Sequence, residues 1–159
     1  LGLEAQRANI LSEFAEEELD LNGIGTLVAG TTNDEVNSIA AQRFIHQFGR
    51  AGVWQLAPAE LEGHHRKSIA DEIRSQNLFV NRPNHALLSK IVAEGGQMKK
   101  SQMTEQFDFE TFLETYPSSL VMFFADSKGL RPAPPEPGKV SAGTNVYALI
   151  PKDELPPAT

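Results

Sequence analysis

Residues 26–56, TLVAGTTNDEVNSIAAQRFIHQFGRAGVWQL, leave this chain fewer ways to fold than any other stretch. The run IGTLVAGT is compact, apolar and bounded by glycines, the pattern of a buried strand. A helical spacing follows it, with Val36, Ile39, Ala40, Phe44 and Phe48 on one face. Thr32 and Glu35 fit the T-x-x-E capping box, which satisfies free amides at a helix start. Gly49 is a natural C-terminal stop. AGVWQLAP then alternates Val53 and Gln55 against Trp54 and Leu56 and ends at Pro58. Strand, helix and strand within about 30 residues make a βαβ unit, whose two strands must run parallel.

The flanks extend the pattern. EAQRANIL holds a short strand ending near Ile10, and Ser12 caps a short helix in SEFAEEELDL with Phe14, Ala15 and Leu19 on one face. Asn22-Gly23 stops that helix. Three strands are therefore read in this region, around Ala5–Ile10, Thr26–Thr31 and Val53–Leu56, the last two forming the parallel pair of the βαβ unit. A polar break, PAELEGHHRKSIADEIRS, separates this region from one of different texture. The predicted organisation is a first region over 1–58, a polar linker over 59–76 and a second module over 77–159.

In the second module NLFV reads as a strand. NHALLSKIVAEGG reads as a helix capped by Asn84, with Leu87, Leu88, Ile91 and Val92 on one face and a Gly-Gly stop. QMKKSQMT, SLVMFFADS and TNVYALIP read as short strands. FDFETFLETYP supplies one helical turn and a loop. RPAPPEPGKVSAGT is too rich in proline for regular structure and reads as an extended connector. The expected fold class is α/β: a parallel sheet built of βαβ units, followed by a small α+β module.

Composition narrows the function. With 40% hydrophobic and 22% charged residues the chain is of globular type. A net charge of -7 and no basic stripe argue against nucleic acid as a partner. The absence of cysteine excludes disulfides, thiol catalysis and zinc-thiolate sites. No apolar run approaches the ~20 residues of a membrane helix. The first residue is leucine, so the chain is expected to be a piece of a longer protein.

Ligands of open α/β sheets sit beyond the carboxyl ends of the strands. Thr31, Thr32 and Asn33 stand at such an end and are the candidate binding residues. Their other reading is as capping residues of the next helix. Asp34 and Glu35 occupy the first turn, where they complement the helix dipole and oppose a second anion. A phosphate is disfavoured there, whereas a ribose hydroxyl or an adenine edge is not. His64 and His65 are adjacent, so they do not share a helix face, and two ligands fall short of a zinc site. His46 and His85 read as surface residues. Phe107, Phe109, Phe112, Tyr116, Phe123 and Phe124 read as the core of the second module. No G-x-S-x-G, P-loop, HExxH or EF-hand pattern is present, and no catalytic or metal-ligating residue is assigned.

LDLNGIGTLVAGTTNDEVNSIAAQRFIHQFGRAGVWQLAP resembles the later half of the nucleotide-binding (RCK, or TrkA-N) domains attached to potassium channels and cation transporters. The block NDEVNSIAA…F…FGR with the following V-x-QLAP strand is similar to the cytoplasmic tail of bacterial sodium/proton (cation:proton) antiporters. MTEQFDFETFLETY, LVMFFA and PGKVSAGTNVYALIP are similar to the small C-terminal module of that tail. The resemblance implies a partial Rossmann-like sheet whose first half is missing. It also implies a non-catalytic, nucleotide-sensing regulatory domain on the cytoplasmic side of an inner-membrane antiporter. Its partners would be the transmembrane domain of the same polypeptide and a second copy of the chain. Asn9, in RANIL, matches the position where such domains show Asp or Asn after the third strand, implying contact with the adenine side of a nucleotide. The alternative reading of Asn9 is a turn or cap residue. The chain departs from the family in having no G-x-G-x-x-G turn. The implied ligand of the full-length protein is NAD or an adenine nucleotide, bound weakly or not at all by this portion. A gating domain of a potassium uptake system or channel is the alternative reading.

Overall fold

A computed structural model describes residues 9–10, 12, 21–59 and 76–155. They fall into two units, one holding the described residues up to Gln55 together with Gln76, the other 56–59 and 77–155. The fold is mixed α/β, with a parallel pairing in the first unit and an antiparallel sheet in the second.

In the first unit β1 (Leu27–Ala29) leads to α1 (Asp34–Phe48), a 3-10 turn (Arg50–Gly52) and β2 (Val53–Gln55). β1 and β2 are parallel, with Leu27 opposite Val53 and Ala29 opposite Gln55. The predicted βαβ unit is therefore present, with shorter strands than expected. A two-residue strand, β3 (Gln76–Asn77), stands beside β2 in the order β1-β2-β3. The expected strand over 5–10 and the helix after Ser12 lie almost wholly outside the described residues, as do His64, His65 and Glu16–Glu18.

The buried stripe of α1 differs from the expected one. Asn37, Ala40, Ala41 and Phe44 are buried, while Ile39 is 50% exposed. Phe44 is the apolar anchor, and burying such a side chain stabilises by about 1.5–3 kcal/mol. Ala40 and Ala41, with no more than a methyl group each, let the helix lie close to what it covers. Gly49 takes φ 67° at the helix end and its amide reaches Ile45 O at 2.8 Å.

The second unit contains a four-stranded antiparallel sheet: β4 (Gln97–Gln102), β5 (Leu120–Asp126), β6 (Gly129–Pro132) and β7 (Asn145–Ile150), in the order β4-β7-β5-β6. Met122 is a bulge residue, because Val121 faces Ala148 and Phe123 already faces Tyr147. One side of the sheet presents Val121, Phe124, Val146, Ala148 and Ile150 to Phe112 of α3 (Phe109–Thr115). Phe107, Phe109 and Tyr116 pack against that cluster, in keeping with the core role expected of them, whereas Phe123 is half-buried and meets Phe79. Leu120 and Leu149 meet Ile91 of α2 (His85–Ala93), with Leu88 and Met122 alongside.

Asn84 caps α2 as expected, its side chain accepting from Leu87 N. The helix closes in a Schellman motif: Gly96 N donates to Ile91 O and Gly95 N to Val92 O, with Gly95 at φ 92°. Only Ile91 of the expected apolar face is buried, and Leu87 and Val92 are exposed. Three expectations need correction here. NLFV is a strand only at its first residue, because Phe79 turns to φ 83° and Asn81 and Arg82 are also left-handed. FDFETFLETYP carries a seven-residue helix rather than one turn. Gly129–Pro132, not expected as a strand, is β6.

Candidate functional site

The polar turn between β1 and α1 is the place where the sequence put its candidate ligand residues. Its geometry is set by one side chain. Asn37 is 2% exposed and faces back along the turn. Its Oδ1 accepts from Thr31 N and from Thr31 Oγ1, both at 2.8 Å. Its Nδ2 donates to Thr31 O at 3.0 Å. A buried amide thus has both of its polar atoms satisfied by one residue, which removes most of the cost of burying it.

Asn33, not Thr32, caps α1. Its Oδ1 accepts from Glu35 N at 3.0 Å and Val36 N at 3.1 Å. The predicted Thr32–Glu35 capping box is replaced by a cap one residue later. The reason is local. An asparagine side chain at position 33 reaches two amides of the first turn, and Thr31 Oγ1 meanwhile accepts from Asn33 N at 3.2 Å.

These bonds decide what the turn can do. Thr31 and Asn33 are exposed, yet their side-chain oxygens are engaged within the turn itself. Thr32 is exposed as well. Asp34 and Glu35 hold the first turn of α1. An anion approaching this helix end meets two carboxylates and finds the amides of Glu35 and Val36 already paired. The structure therefore brings Thr31, Thr32 and Asn33 together as a capped turn.

Asn9 is exposed, and its carbonyl accepts from Ser12 N at 2.9 Å, the bond of a tight turn. Ser12 O in turn accepts from Arg43 of α1, which ties this turn to the helix.

Two groups escaped the sequence reading. Asn37 was detectable as a polar residue in a stripe with Ala40, Ala41 and Phe44, directly after a Thr-Thr-Asn turn. Gln55, at the carboxyl end of β2, is 5% exposed and its Oε1 has no hydrogen-bond partner among the described residues. No sequence signal separates it from a surface glutamine. Among the described residues no group of three His, Asp or Glu side chains is placed to hold a metal ion. His46 lies in the last turn of α1, and His85 Nδ1 is 3.2 Å from Ser89 Oγ. No helix of the described residues is long and apolar enough to cross a membrane.

Set against protein-family models and against curated proteins, the chain matches none of them.

Proposed function

We propose that this chain is a non-catalytic regulatory domain of a membrane cation/proton antiporter, carrying a partial Rossmann-like sheet whose first half is missing. The observation that supports this most is the parallel pairing of Leu27–Ala29 with Val53–Gln55 around α1. It is the arrangement that the resemblance of residues 19–58 implies. The separate antiparallel unit with its aromatic core is compatible with the small C-terminal module of such tails. A regulatory domain acts by contacts that differ between two states of the transporter, so it needs a rigid scaffold rather than reactive groups. Asn37 supplies that rigidity at the strand end.

The test is cation/proton exchange in everted membrane vesicles made from cells expressing the full-length gene product, with and without these 159 residues. Exchange that persists without them, but with a changed pH dependence or apparent ion affinity, is the expected result. Unchanged exchange in the truncated protein, or a full-length product with no membrane-spanning segments, refutes the reading.

A further inference from the structure

The second unit contains a cavity of about 730 Å³ between the β5–β6 hairpin and the proline-rich segment that follows β6. Its volume lies within the range of small-molecule sites. Its charge is opposite to that of the chain. Lys128, Arg131 and Lys139 line it with one acid, Asp126, a local balance of +2 in a chain of net charge -7. Ser127, Ser141 and Thr144 add hydroxyl groups to the same walls.

The one acid is not free to repel an anion. Asp126 Oδ1 accepts from Lys128 N at 2.8 Å, and its Oδ2 accepts from Arg131 NH1 at 2.6 Å. The second of these bonds fixes one of the cations, Arg131. The hairpin turn is closed by Asp126, and the Arg131 guanidinium is held both by that carboxylate and by the ring of Phe124, 5.6 Å from its centroid. An arginine restrained on two sides loses little freedom when a ligand takes its remaining N–H groups. Lys128 and Lys139 form no ion pair among the described residues. Glu136, the acid of the facing segment, is directed to Arg82 at 3.8 Å.

Two lysines without an ion pair among the described residues, an arginine held in place and hydroxyl-bearing residues lining one open volume are the donor set of a phosphate site. We infer that this cavity binds the phosphate of a small organic anion, with Arg131 as the fixed donor and Lys128 and Lys139 closing on the remaining oxygens. The inference rests on the second unit alone and stands or falls independently of the antiporter reading.

The test is an amide NMR titration of the full 159-residue chain with inorganic phosphate and then pyrophosphate, up to about 10 mM. Saturable shifts confined to residues 126–131 and 138–144, larger affinity for pyrophosphate, and weakening as NaCl rises from about 50 to about 500 mM are expected. The double variant Lys128→Gln/Lys139→Gln alters two exposed side chains and should weaken binding about tenfold with an otherwise unchanged spectrum. Sedimentation with phosphatidylglycerol vesicles, against phosphatidylcholine, separates a lipid headgroup from a soluble phosphate as the source. Absence of saturable shifts with either probe, or shifts that the double variant leaves untouched, overturns the inference.

Discussion

Asn37→Ala tests whether one buried amide holds the β1–α1 turn. Three hydrogen bonds to Thr31 disappear, at 2.8, 2.8 and 3.0 Å in the native protein. At roughly 1 kcal/mol net for each bond, the gross loss is about 3 kcal/mol. Two effects reduce it. Thr31 is exposed, so water can serve its amide and carbonyl after truncation. Alanine also favours the helix over asparagine by up to about 0.7 kcal/mol. The expected net destabilisation is about 1.5–2.5 kcal/mol. Trp54 is the single tryptophan and lies on β2, so its fluorescence reports the first unit. With a urea m-value of about 1–2 kcal/mol/M for a small unit, the midpoint should fall by about 1–2 M. Ile39→Ala serves as the contrast. Ile39 is 50% exposed, and its truncation should move the midpoint by no more than about 0.5 kcal/mol would. Thr31→Val removes the shared hydroxyl and should couple with Asn37→Ala by about 1 kcal/mol in a double-mutant cycle. Equal midpoints for Asn37→Ala and Ile39→Ala would refute the latch. They would place the buried face of α1 where the sequence periodicity alone puts it.

The second unit offers two further measurements, both read from the near-ultraviolet dichroism of Tyr116 and Tyr147, the chain's two tyrosines. A Cβ at Gly96 would lie 2.8 Å from Ile91 O and 3.0 Å from Ile150 O, both backbone atoms, so Gly96→Ala should destabilise this unit by about 1–3 kcal/mol. The Thr111 amide, followed by its hydroxyl, holds the Asp108 carboxyl below the ordinary value of 3.8. A carboxyl lowered in the folded state contributes stability above its unfolded pKa, and that contribution is lost as pH falls through the lowered value. Asp108→Asn keeps a capping oxygen and should flatten this acid limb, whereas Asp108→Ala should weaken the unit at neutral pH as well; identical acid profiles for the native chain and Asp108→Asn would rule this out.

The parallel βαβ unit was legible because two periods, 2 and 3.6, follow each other with glycines between them. The face of α1 was not. Periodicity favoured Val36 and Ile39 because it scores apolar residues, and it cannot see that Asn37 brings its own partners from Thr31. The cap moved from Thr32 to Asn33 for a related reason: two candidate caps stand side by side, and only the geometry of the turn selects between them. β6 was hidden by Pro132. A proline removes a ladder donor, but β6 lies at the edge of the sheet, where that loss is tolerated. NLFV failed as a strand because the chain reverses through the left-handed residues Phe79, Asn81 and Arg82 before Pro83. The basic cavity was illegible for a different reason. Lys128, Arg131 and Lys139 form no run in sequence, and only the hairpin and the connector gather them.

Charge separates the two places where a ligand could act. At the strand end of the first unit, Asp34 and Glu35 stand on a helix turn whose amides at 35 and 36 are already capped. An anion gains little there and is repelled by two carboxylates. In the second unit the one acid of the cavity holds Arg131, and two of its lysines have no ion pair among the described residues. The electrostatic cost of admitting a phosphate is therefore lower in the second unit by construction, even though the parallel sheet is the architecture that conventionally receives one. On the regulatory reading proposed above, an anionic effector would act through the antiparallel unit, and the parallel unit would serve as scaffold. The phosphate titration separates the two directly: shifts at residues 31–36 in place of 126–144 would reverse the assignment.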